Sequence, residues 1–546
     1  MRDSQRMAVL GGVAAAIVGA AGFGAYALVG GDDGGGDDGS VSASGDGENP
    51  GPKRTGPPTA KEVRQTAEDF LDAWSGGDLK KAAKLTDDPA AARKALAGFR
   101  EDAYVDKLAL APKKPAKAEV SFGVDARIAY KQQREAWSYD SALTVTRAKS
   151  GDAVVRWEPS VLHPKLKDGQ TVKTGAAETA PIKAVDQSGQ AITKEDHPSL
   201  TGVLADLRER YGDKTNGTPG IETRIVDAKG KDTGTTLRTL SKGEPGTLET
   251  TLDLGVQQAA EKAIADKDKA SVVAVKPSSG EILAIANAPA TGFNTALQGS
   301  YAPGSTMKVI TGAMLMDKGL ADPAKQHPCP KFFSYGGWKF QNDDKFEIKN
   351  GTFAQSFARS CNTAFISQAP ELEDDSLTKE ARDVFGIGLN WQVGTTTFDG
   401  RVPVQSDAQM GASLIGQGGV RMNPLNMASV SATVKSGQFK QPYLVSPELD
   451  DRKLAKAPRA MDPGTASELR ELMKLTATSG TAAKPMAGSS GDFGAKTGSA
   501  EVGGQKKPNA WFTAYNGDIA AAAVVPNSGH GGEFAGPVVR EVLDAG

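Results

Sequence analysis

A serine and a lysine stand three positions apart in the segment YAPGSTMKVITGAML, residues 301–315. A serine hydroxyl is a poor nucleophile at neutral pH, so an adjacent base must take its proton. Residues three apart on a helix share one face, which places Lys308 beside Ser305. A lysine acts as a base only when burial or neighbouring charge lowers its pKa, and the apolar residues after Lys308 predict that burial. Taken alone, the segment also fits a capped core helix whose lysine reaches water.

A single Ser-x-x-Lys match is weak evidence, because a few matches arise by chance at ordinary residue usage. The chain holds a second match at Ser376, within the acidic segment ELEDDSLTKEARDVF. That context is typical of an exposed helix start, and we assign Ser376 to helix capping. A further motif supports Ser305 as the nucleophile: Ser360-Cys361-Asn362 is the only Ser-x-Asn in the sequence.

A third motif, Lys496-Thr497-Gly498-Ser499, follows near the C-terminus. Another Lys-Thr-Gly begins at Lys173, but it lies far upstream in a polar region, and we predict no strand to place it. Ser-x-x-Lys, Ser-x-Asn and Lys-Thr-Gly therefore occur in one ordered combination, which begins at Ser305, Ser360 and Lys496.

This ordered triple is the active-site signature of penicillin-recognising serine enzymes, and the chain resembles a class B penicillin-binding protein. The resemblance extends from Thr250 to the C-terminus through TLDLGVQQAAEKAI, YAPGSTMKV and IGQGGVRMNPLNMA. More loosely, AEDFLDAWSGGDLKKAAKLTDD resembles the N-terminal domain of the methicillin-resistance type, whose fold is similar to nuclear transport factor two. The following region resembles the pedestal domain of the family only weakly.

The resemblance implies a serine-type D-Ala-D-Ala transpeptidase that forms an acyl-enzyme with a peptidoglycan stem peptide. Ser305 would attack the carbonyl carbon of the penultimate D-Ala and expel the terminal D-Ala. Lys308 would be the base. Ser360 would relay a proton between Lys308, Lys496 and the leaving amine, and Lys496 would add positive potential.

The remaining motif residues would bind the substrate. The resemblance implies that Asn362 holds its peptide amide or carbonyl, that Thr497 binds its terminal carboxylate, and that Gly498 lets it lie close to a sheet edge. The backbone N–H groups of Ser305 and Ser499 would form the oxyanion hole. Threonine is common in the family where this chain has Ser499, and we expect this change to be mild because the contact is main chain.

The acyl-enzyme would then be attacked by an amine of a neighbouring stem peptide, which makes the cross-link, and β-lactams would trap the serine covalently. No glycosyltransferase domain is recognisable, so we expect a glycosyltransferase partner in the cell-wall synthesis machinery. The resemblance to a resistance protein makes low β-lactam affinity, and hence antibiotic resistance, a hypothesis. We expect no cofactor and no metal. Alternatives are a D,D-carboxypeptidase or β-lactamase-type hydrolase, and a non-catalytic penicillin-binding scaffold.

Composition argues against several other functional classes. Hydrophobic content of 39% and charged content of 24% are ordinary for globular domains, and the net charge of −2 does not favour a nucleic-acid partner. Only four histidines occur, so Ser-His-Asp catalysis is a poor fit. The two cysteines, Cys329 and Cys361, lack zinc-finger spacing; they are either a disulfide or two separate buried thiols.

The N-terminal segment between Met7 and Gly31 carries no charged residue and is long enough to span a bilayer. The alternative is a signal peptide cleaved near Ala25-Tyr26-Ala27. In either case the remainder lies on the extracytoplasmic face.

We predict a multidomain α+β protein, with helices on an antiparallel meander in the N-terminal domain and one antiparallel sheet between helix clusters in the C-terminal domain. The predicted parts are a single-pass membrane anchor with a short cytoplasmic N-terminus (1–30), a flexible Gly/Asp-rich linker (31–58), an N-terminal cone-like α+β domain (59–170), a linking or pedestal domain (171–249) and a transpeptidase domain (250–546).

Overall fold

A computed structural model describes residues 55–546 of the 546-residue chain. The predicted membrane anchor (1–30) and all but the last four residues of the predicted linker (31–58) lie outside the described residues. Within the described part of the chain, no helix combines the length and the apolar character needed to cross a membrane.

The N-terminal part consists of three helices packed on a four-stranded antiparallel meander, as the sequence predicts. The first helix begins at a capping box formed by Thr59 and Glu62. Phe70, Trp74 and Phe122 are fully buried and belong to the core between the helices and the meander. The elements are α1 (Ala60–Ser75), α2 (Leu79–Lys84), α3 (Pro89–Glu101), β1 (Val105–Pro112), β2 (Glu119–Tyr130), β3 (Gln133–Arg147) and β4 (Ala153–Arg156).

Residues 171–249 contribute to two different hydrophobic cores. Strands β5, β7 and β8 form a three-stranded sheet whose Val172 and Ile225 join the core of the N-terminal helices and meander. Strands β6 and β9 pair in parallel, and α4 packs Leu207 and Tyr211 into the C-terminal core. The ranges are β5 (Thr171–Ala176), β6 (Ile182–Val185), α4 (Thr201–Tyr211), β7 (Ile221–Val226), β8 (Asp232–Ser241) and β9 (Gly246–Glu249).

The C-terminal part is built on a five-stranded sheet with the strand order β11-β10-β16-β15-β14, in which every neighbouring pair is antiparallel. Its elements are α5 (Leu254–Ile264), β10 (Ala270–Val275), β11 (Ile282–Ala288), α6 (Thr295–Gln298), α7 (Lys308–Asp317), β12 (Phe332–Tyr335), β13 (Trp338–Gln341), α8 (Phe353–Ala358), α9 (Thr363–Ile366), α10 (Ser376–Asp383), α11 (Asp407–Ser413), α12 (Pro424–Ser436), α13 (Pro463–Ser479), β14 (Phe493–Ala500), β15 (Asn509–Asn516), β16 (Ile519–Val525), α14 (Gly531–Phe534) and α15 (Gly536–Leu543).

Both faces of this sheet are covered by helices. All six residues of β10 are buried, and alternate side chains enter opposite cores: Val272 faces the side of α5 and α15, whereas Val273 faces the side of α7 and α12. The predicted antiparallel sheet between helix clusters is confirmed. Strand β14 lies at one end of the strand order, so within residues 55–546 one of its edges pairs with no other strand.

Candidate active site

The first motif lies where a short 3-10 turn, Gly304–Met307, runs into α7. This turn lies directly against β14, because a Cβ atom added to Gly304 would stand 2.5 Å from the carbonyl oxygen of Ser499. Gly304 also has φ +54°, which glycine adopts without strain. The Pro-Gly pair before Ser305 thus brings the hydroxyl to the edge of the sheet.

Lys308 is fully buried, as the apolar residues after it predict. Its Nζ lies 2.9 Å from Ser305 Oγ and donates a 2.7 Å hydrogen bond to Asn362 Oδ1. Nζ also donates to the Ser360 carbonyl oxygen at 2.8 Å. Burial, together with the charge of Lys496, holds the pKa of Lys308 well below its ordinary value, and Glu501 and Asp343 oppose the shift. A neutral amine beside Ser305 Oγ can accept its proton.

Ser360 lies between the two lysines. Its Oγ is 3.4 Å from Lys308 Nζ and 2.9 Å from Lys496 Nζ. Lys496 is fully buried, and this burial lowers its pKa to about 7. Ser360 has φ +57°, an uncommon conformation for a non-glycine residue and one that is often found at functional sites. This conformation lets the carbonyl oxygen and the hydroxyl of one residue both contact the Lys308 amine.

The third motif forms one wall of the site from β14. Thr497 Oγ1 lies 2.6 Å from Thr481 Oγ1. Gly498 packs against the turn that carries the serine: a Cβ atom there would lie 2.9 Å from the Pro303 carbonyl oxygen. Ser499 Oγ is 3.5 Å from His530 Nδ1.

These residues open onto a cleft of about 540 Å³, which is lined by predicted residues from all three motifs. Lys308 and Lys496 are buried beneath the residues that line the cleft and do not line it themselves. The predicted residues lining it are Ser305, Ser360, Asn362, Thr497, Gly498 and Ser499. A cavity of about 590 Å³ near Glu380 and Arg459 is slightly larger; Ser376 and Lys379 of the other Ser-x-x-Lys match line it, but no Ser-x-Asn or Lys-Thr-Gly residue does. We therefore place the active site in the smaller cleft.

The structure adds cleft residues that sequence reasoning missed. Glu501 lies two residues after the third motif, which was a usable signal, and its Oε2 accepts a 2.7 Å hydrogen bond from Gln417 Nε2. Asp343, Arg359 and His530 also line the cleft. Asp343 and His530 come from segments that are distant from the motifs in sequence. Arg359 adjoins Ser360 but belongs to no motif. The sequence therefore contained no indication that any of the three lines the cleft.

The other copies of the motifs lie elsewhere. Ser376 is buried, and the N-cap position of α10 belongs to Asp375 without a side-chain capping bond, so its predicted exposure and its predicted capping are both wrong. Its Oγ accepts a hydrogen bond from the Glu373 amide. Lys379 pairs with Asp375 at 2.8 Å. Lys173 does lie in a strand, β5, contrary to the prediction, but that strand belongs to the three-stranded sheet.

A disulfide joins Cys329 and Cys361, so the structure has the bonded alternative. Cys361 stands between Ser360 and Asn362 of the second motif. The bond therefore ties this motif to the base of the β12–β13 hairpin.

Comparison with known proteins identifies the family to which this architecture belongs. Residues 270–544, half of the chain, match the family model of the penicillin binding protein transpeptidase domain. The chain belongs to the penicillin-binding protein transpeptidase family. Residues 62–170 match the NTF2-like N-terminal transpeptidase domain. Both resemblances that the sequence suggested are confirmed.

Relatives within the transpeptidase family share moderate identity with this chain. The peptidoglycan D,D-transpeptidase PbpA of Mycobacterium tuberculosis is 28% identical over 370 residues, covering 55% of this chain and 72% of the relative. The peptidoglycan D,D-transpeptidase MrdA of Acinetobacter baumannii is 26% identical over 306 residues, covering 48% of this chain and 44% of the relative.

Solved structures of the transpeptidase family share the fold. PBP2 of Pseudomonas aeruginosa in complex with WCK 5153 aligns with a TM-score of 0.54 and 22% identity, covering 68% of this chain and 96% of that one. PBPA of Mycobacterium tuberculosis aligns with a TM-score of 0.50 and 25% identity, with the same coverage of 68% and 96%.

Proposed function

We propose that this protein is a peptidoglycan D,D-transpeptidase that cross-links stem peptides through an acyl-enzyme on Ser305. The observation that carries the proposal is the contact between a fully buried Lys308 amine and Ser305 Oγ, 2.9 Å apart at the edge of an open cleft. Curated relatives named peptidoglycan D,D-transpeptidases support the same reaction.

The acylation step begins when neutral Lys308 takes the proton of Ser305 Oγ. The oxygen bonds to the carbonyl carbon of the penultimate D-Ala, and the carbonyl electron pair moves onto its oxygen. Backbone N–H groups of Ser305 and Ser499 stabilise that oxyanion, each contributing roughly 2.7–4 kcal/mol. The close approach of the turn to Ser499 supports this assignment.

Collapse of the tetrahedral intermediate expels the terminal D-Ala as an amine, which needs a proton. Ser360 Oγ contacts both lysine amines, so the proton held by Lys308 passes to the leaving nitrogen through Ser360. The acyl-enzyme is then attacked by the amine of a neighbouring stem, and Lys308 accepts the amine's proton. The ester bond to Ser305 breaks, and Lys308 returns that proton to Ser305 Oγ. One amide bond breaks and one forms.

The free edge of β14 positions the donor peptide as an added strand. Thr497 and the charge of Lys496 bind its terminal carboxylate. Asn362 faces the same cleft and holds the peptide amide or carbonyl. These contacts orient the scissile carbonyl toward Ser305, which lowers the barrier by positioning.

We also propose that residues 1–30 anchor the protein in the cell membrane, with the catalytic part on the extracytoplasmic face. The uncharged segment between Met7 and Gly31 supports this. A separate glycosyltransferase would supply the glycan strands.

The match to the NTF2-like N-terminal transpeptidase domain favours low β-lactam affinity. Slow acylation by β-lactams would support this proposal, and fast acylation would refute it.

The experiment that tests the function supplies a donor stem peptide ending in D-Ala-D-Ala, with and without an amine-bearing acceptor stem. Released D-Ala and the cross-linked product are measured by mass spectrometry, with Ser305→Ala as the control. We expect cross-linked product that requires the acceptor. Release of D-Ala into the hydrolysed donor alone would indicate a carboxypeptidase, and no release would indicate a scaffold.

A further inference from the structure

Asn342, which follows the last residue of β13, is a buried amide that joins three segments around the site. It is 1% exposed. Its Nδ2 donates to the carbonyl oxygens of Pro330 (3.0 Å) and Phe346 (2.9 Å). Its Oδ1 accepts from the backbone N–H groups of Asn362 (2.8 Å) and Thr363 (3.1 Å). Both ends of this side chain are therefore fully used, and one end holds the second motif.

The two N–H groups that Asn342 accepts belong to the start of helix α9. The residue at the N-cap position is Asn362, and its side chain makes no capping hydrogen bond to the helix. Asparagine is normally a strong N-cap through that same side chain. Here the Asn362 Oδ1 accepts from Lys308 Nζ at 2.7 Å instead. Asn342 instead holds the N–H groups of Asn362 and of the first helical residue, Thr363, whereas the next N–H, that of Ala364, donates to Cys361 Sγ.

A second contact fixes the Asn362 side chain from the other end. Asn362 Nδ2 donates a 3.0 Å hydrogen bond to the carbonyl oxygen of Gln341, the neighbour of Asn342 in sequence. Residues 341–342 therefore hold both the backbone and the side chain of Asn362. Lys308 Nζ contacts the nucleophile on one side and Asn362 on the other, so any shift of Asn362 moves the base.

We propose that Asn342 is a positioning residue for acylation: by accepting the backbone N–H groups of Asn362 and Thr363, it fixes Asn362 so that the Asn362 amide holds the Lys308 amine against Ser305. This inference rests on the proposed function of Ser305 and Lys308. Asn342 contacts neither of them directly, and it acts through Asn362. The disulfide between Cys329 and Cys361 ties the same two segments, so loss of the Asn342 side chain leaves them connected.

The test compares Asn342→Ala with Asn342→Asp, which keeps an oxygen acceptor for the two N–H groups but loses the amide donors. The matched control is Asn423→Ala. Asn423 is also fully buried, and its Nδ2 donates to the carbonyl oxygens of Leu297 (2.7 Å) and Phe398 (2.8 Å). It caps α12, and neither Asn423 nor any residue of α12 lines the cleft. Each protein is acylated with a fluorescent penicillin over a range of concentration and pH, and thermal unfolding is recorded.

We expect Asn342→Ala to lower the maximal acylation rate at least roughly tenfold, with the concentration for half-maximal rate changed less than about threefold. Asn342→Asp, compared at its own optimal pH, should recover the maximal rate to within about threefold of the parent. Asn423→Ala should lower the unfolding temperature and leave the acylation rate unchanged. If Asn342→Ala does not fold, Asn342→Leu, of similar volume, replaces it in the same comparison.

Near-parent acylation by Asn342→Ala overturns the inference. So does an Asp variant as slow as the Ala variant, or an equal slowing in Asn423→Ala at equal loss of stability. Absence of acylation in the parent protein would instead refute the proposed function, so the two failures are distinguishable.

Discussion

Two lysine side chains, Lys308 and Lys496, are fully buried within hydrogen-bond range of the Ser360 hydroxyl. Removing an ammonium from water disfavours its charged form, so burial turns an ordinary cation into a base. Both lysines experience this effect, and Lys308 also experiences the charge of Lys496. Burial and the neighbouring charge together favour a neutral Lys308 beside a cationic Lys496.

The acylation rate should depend on pH through both groups. Protonated Lys308 cannot accept the Ser305 proton, so the rate falls as pH decreases through the lowered pKa of Lys308. Lys496, with a pKa of about 7, loses its charge as pH rises, which weakens carboxylate binding and lowers the rate again. We expect a bell-shaped profile for penicillin acylation, measured between about pH 5 and pH 10.

Lys496→Arg serves as the control for this profile, because arginine stays charged and should remove the basic limb alone. A parent rate that rises continuously to about pH 10, as for an exposed lysine, would contradict the assignment of Lys308 as the base.

At the scale of elements, the site depends on the close contact between β14 and the 3-10 turn Gly304–Met307, which carries Ser305. A Cβ atom at Gly498 would lie 2.9 Å from the Pro303 carbonyl oxygen and 3.0 Å from the Thr306 amide nitrogen. Gly498→Ala should push the turn away from the strand, cost about 1–3 kcal/mol of folding free energy and slow acylation by roughly tenfold to 10²-fold. Gly503→Ala, in the loop after the same strand with nothing within 4 Å of the added Cβ, is the neutral control. Equal acylation by Gly498→Ala and the parent would contradict the proposed packing.

The disulfide joins two elements of the site across 32 residues. Closing a loop of that size reduces the entropy of the unfolded chain, worth about 3–4 kcal/mol in the chain-entropy model. We expect a reducing agent to lower the urea midpoint of unfolding and to slow acylation. The double variant Cys329→Ala/Cys361→Ala should show no response to the reductant. A parent protein whose urea midpoint and acylation rate are both insensitive to reductant would show that the bond supports neither stability nor the site.

The elements also show how far the sequence predicts the site. Motif spacing placed Ser305 beside Lys308, because three residues make about one turn, and motif order identified Ser360 and Lys496. It could not predict that Asp343 and His530 line the same cleft, or that Asn342 holds the backbone of Asn362. Their contacts arise from tertiary packing of loops distant in sequence, and no local pattern encodes that packing. Ser376 was misjudged because an acidic segment does not determine which side of its helix is buried.

At the scale of the whole molecule, residues 171–249 connect two cores. The sequence of this region is polar and weakly periodic, so it predicted only a linking domain of uncertain detail. The structure shows that α4 packs Val203, Leu207 and Tyr211 into the C-terminal core, whereas β7 contributes Ile225 to the N-terminal one. The domain boundaries proposed from the sequence remain predictions.

A protein that begins at Thr250 should be less stable than one that begins at Gln170. The shorter chain loses Leu200, Leu207 and Tyr211, and each fully buried large apolar side chain contributes about 1.5–3 kcal/mol. We expect the chain from Gln170 to unfold at nearly the temperature of the chain from Thr59, and the chain from Thr250 to unfold lower or to aggregate. Equal unfolding temperatures for the chains from Gln170 and Thr250 would show that α4 does not stabilise the C-terminal core.

The most direct test of the whole scheme is to locate the penicillin adduct. The protein from Thr59 onward is incubated with a fluorescent penicillin, and the labelled peptide is identified by mass spectrometry. We predict a persistent adduct on Ser305 that is absent from Ser305→Ala and unchanged in Ser376→Ala, the serine of the other Ser-x-x-Lys match. An adduct on another residue, or one that survives in Ser305→Ala, would contradict the claim that Ser305 is the nucleophile.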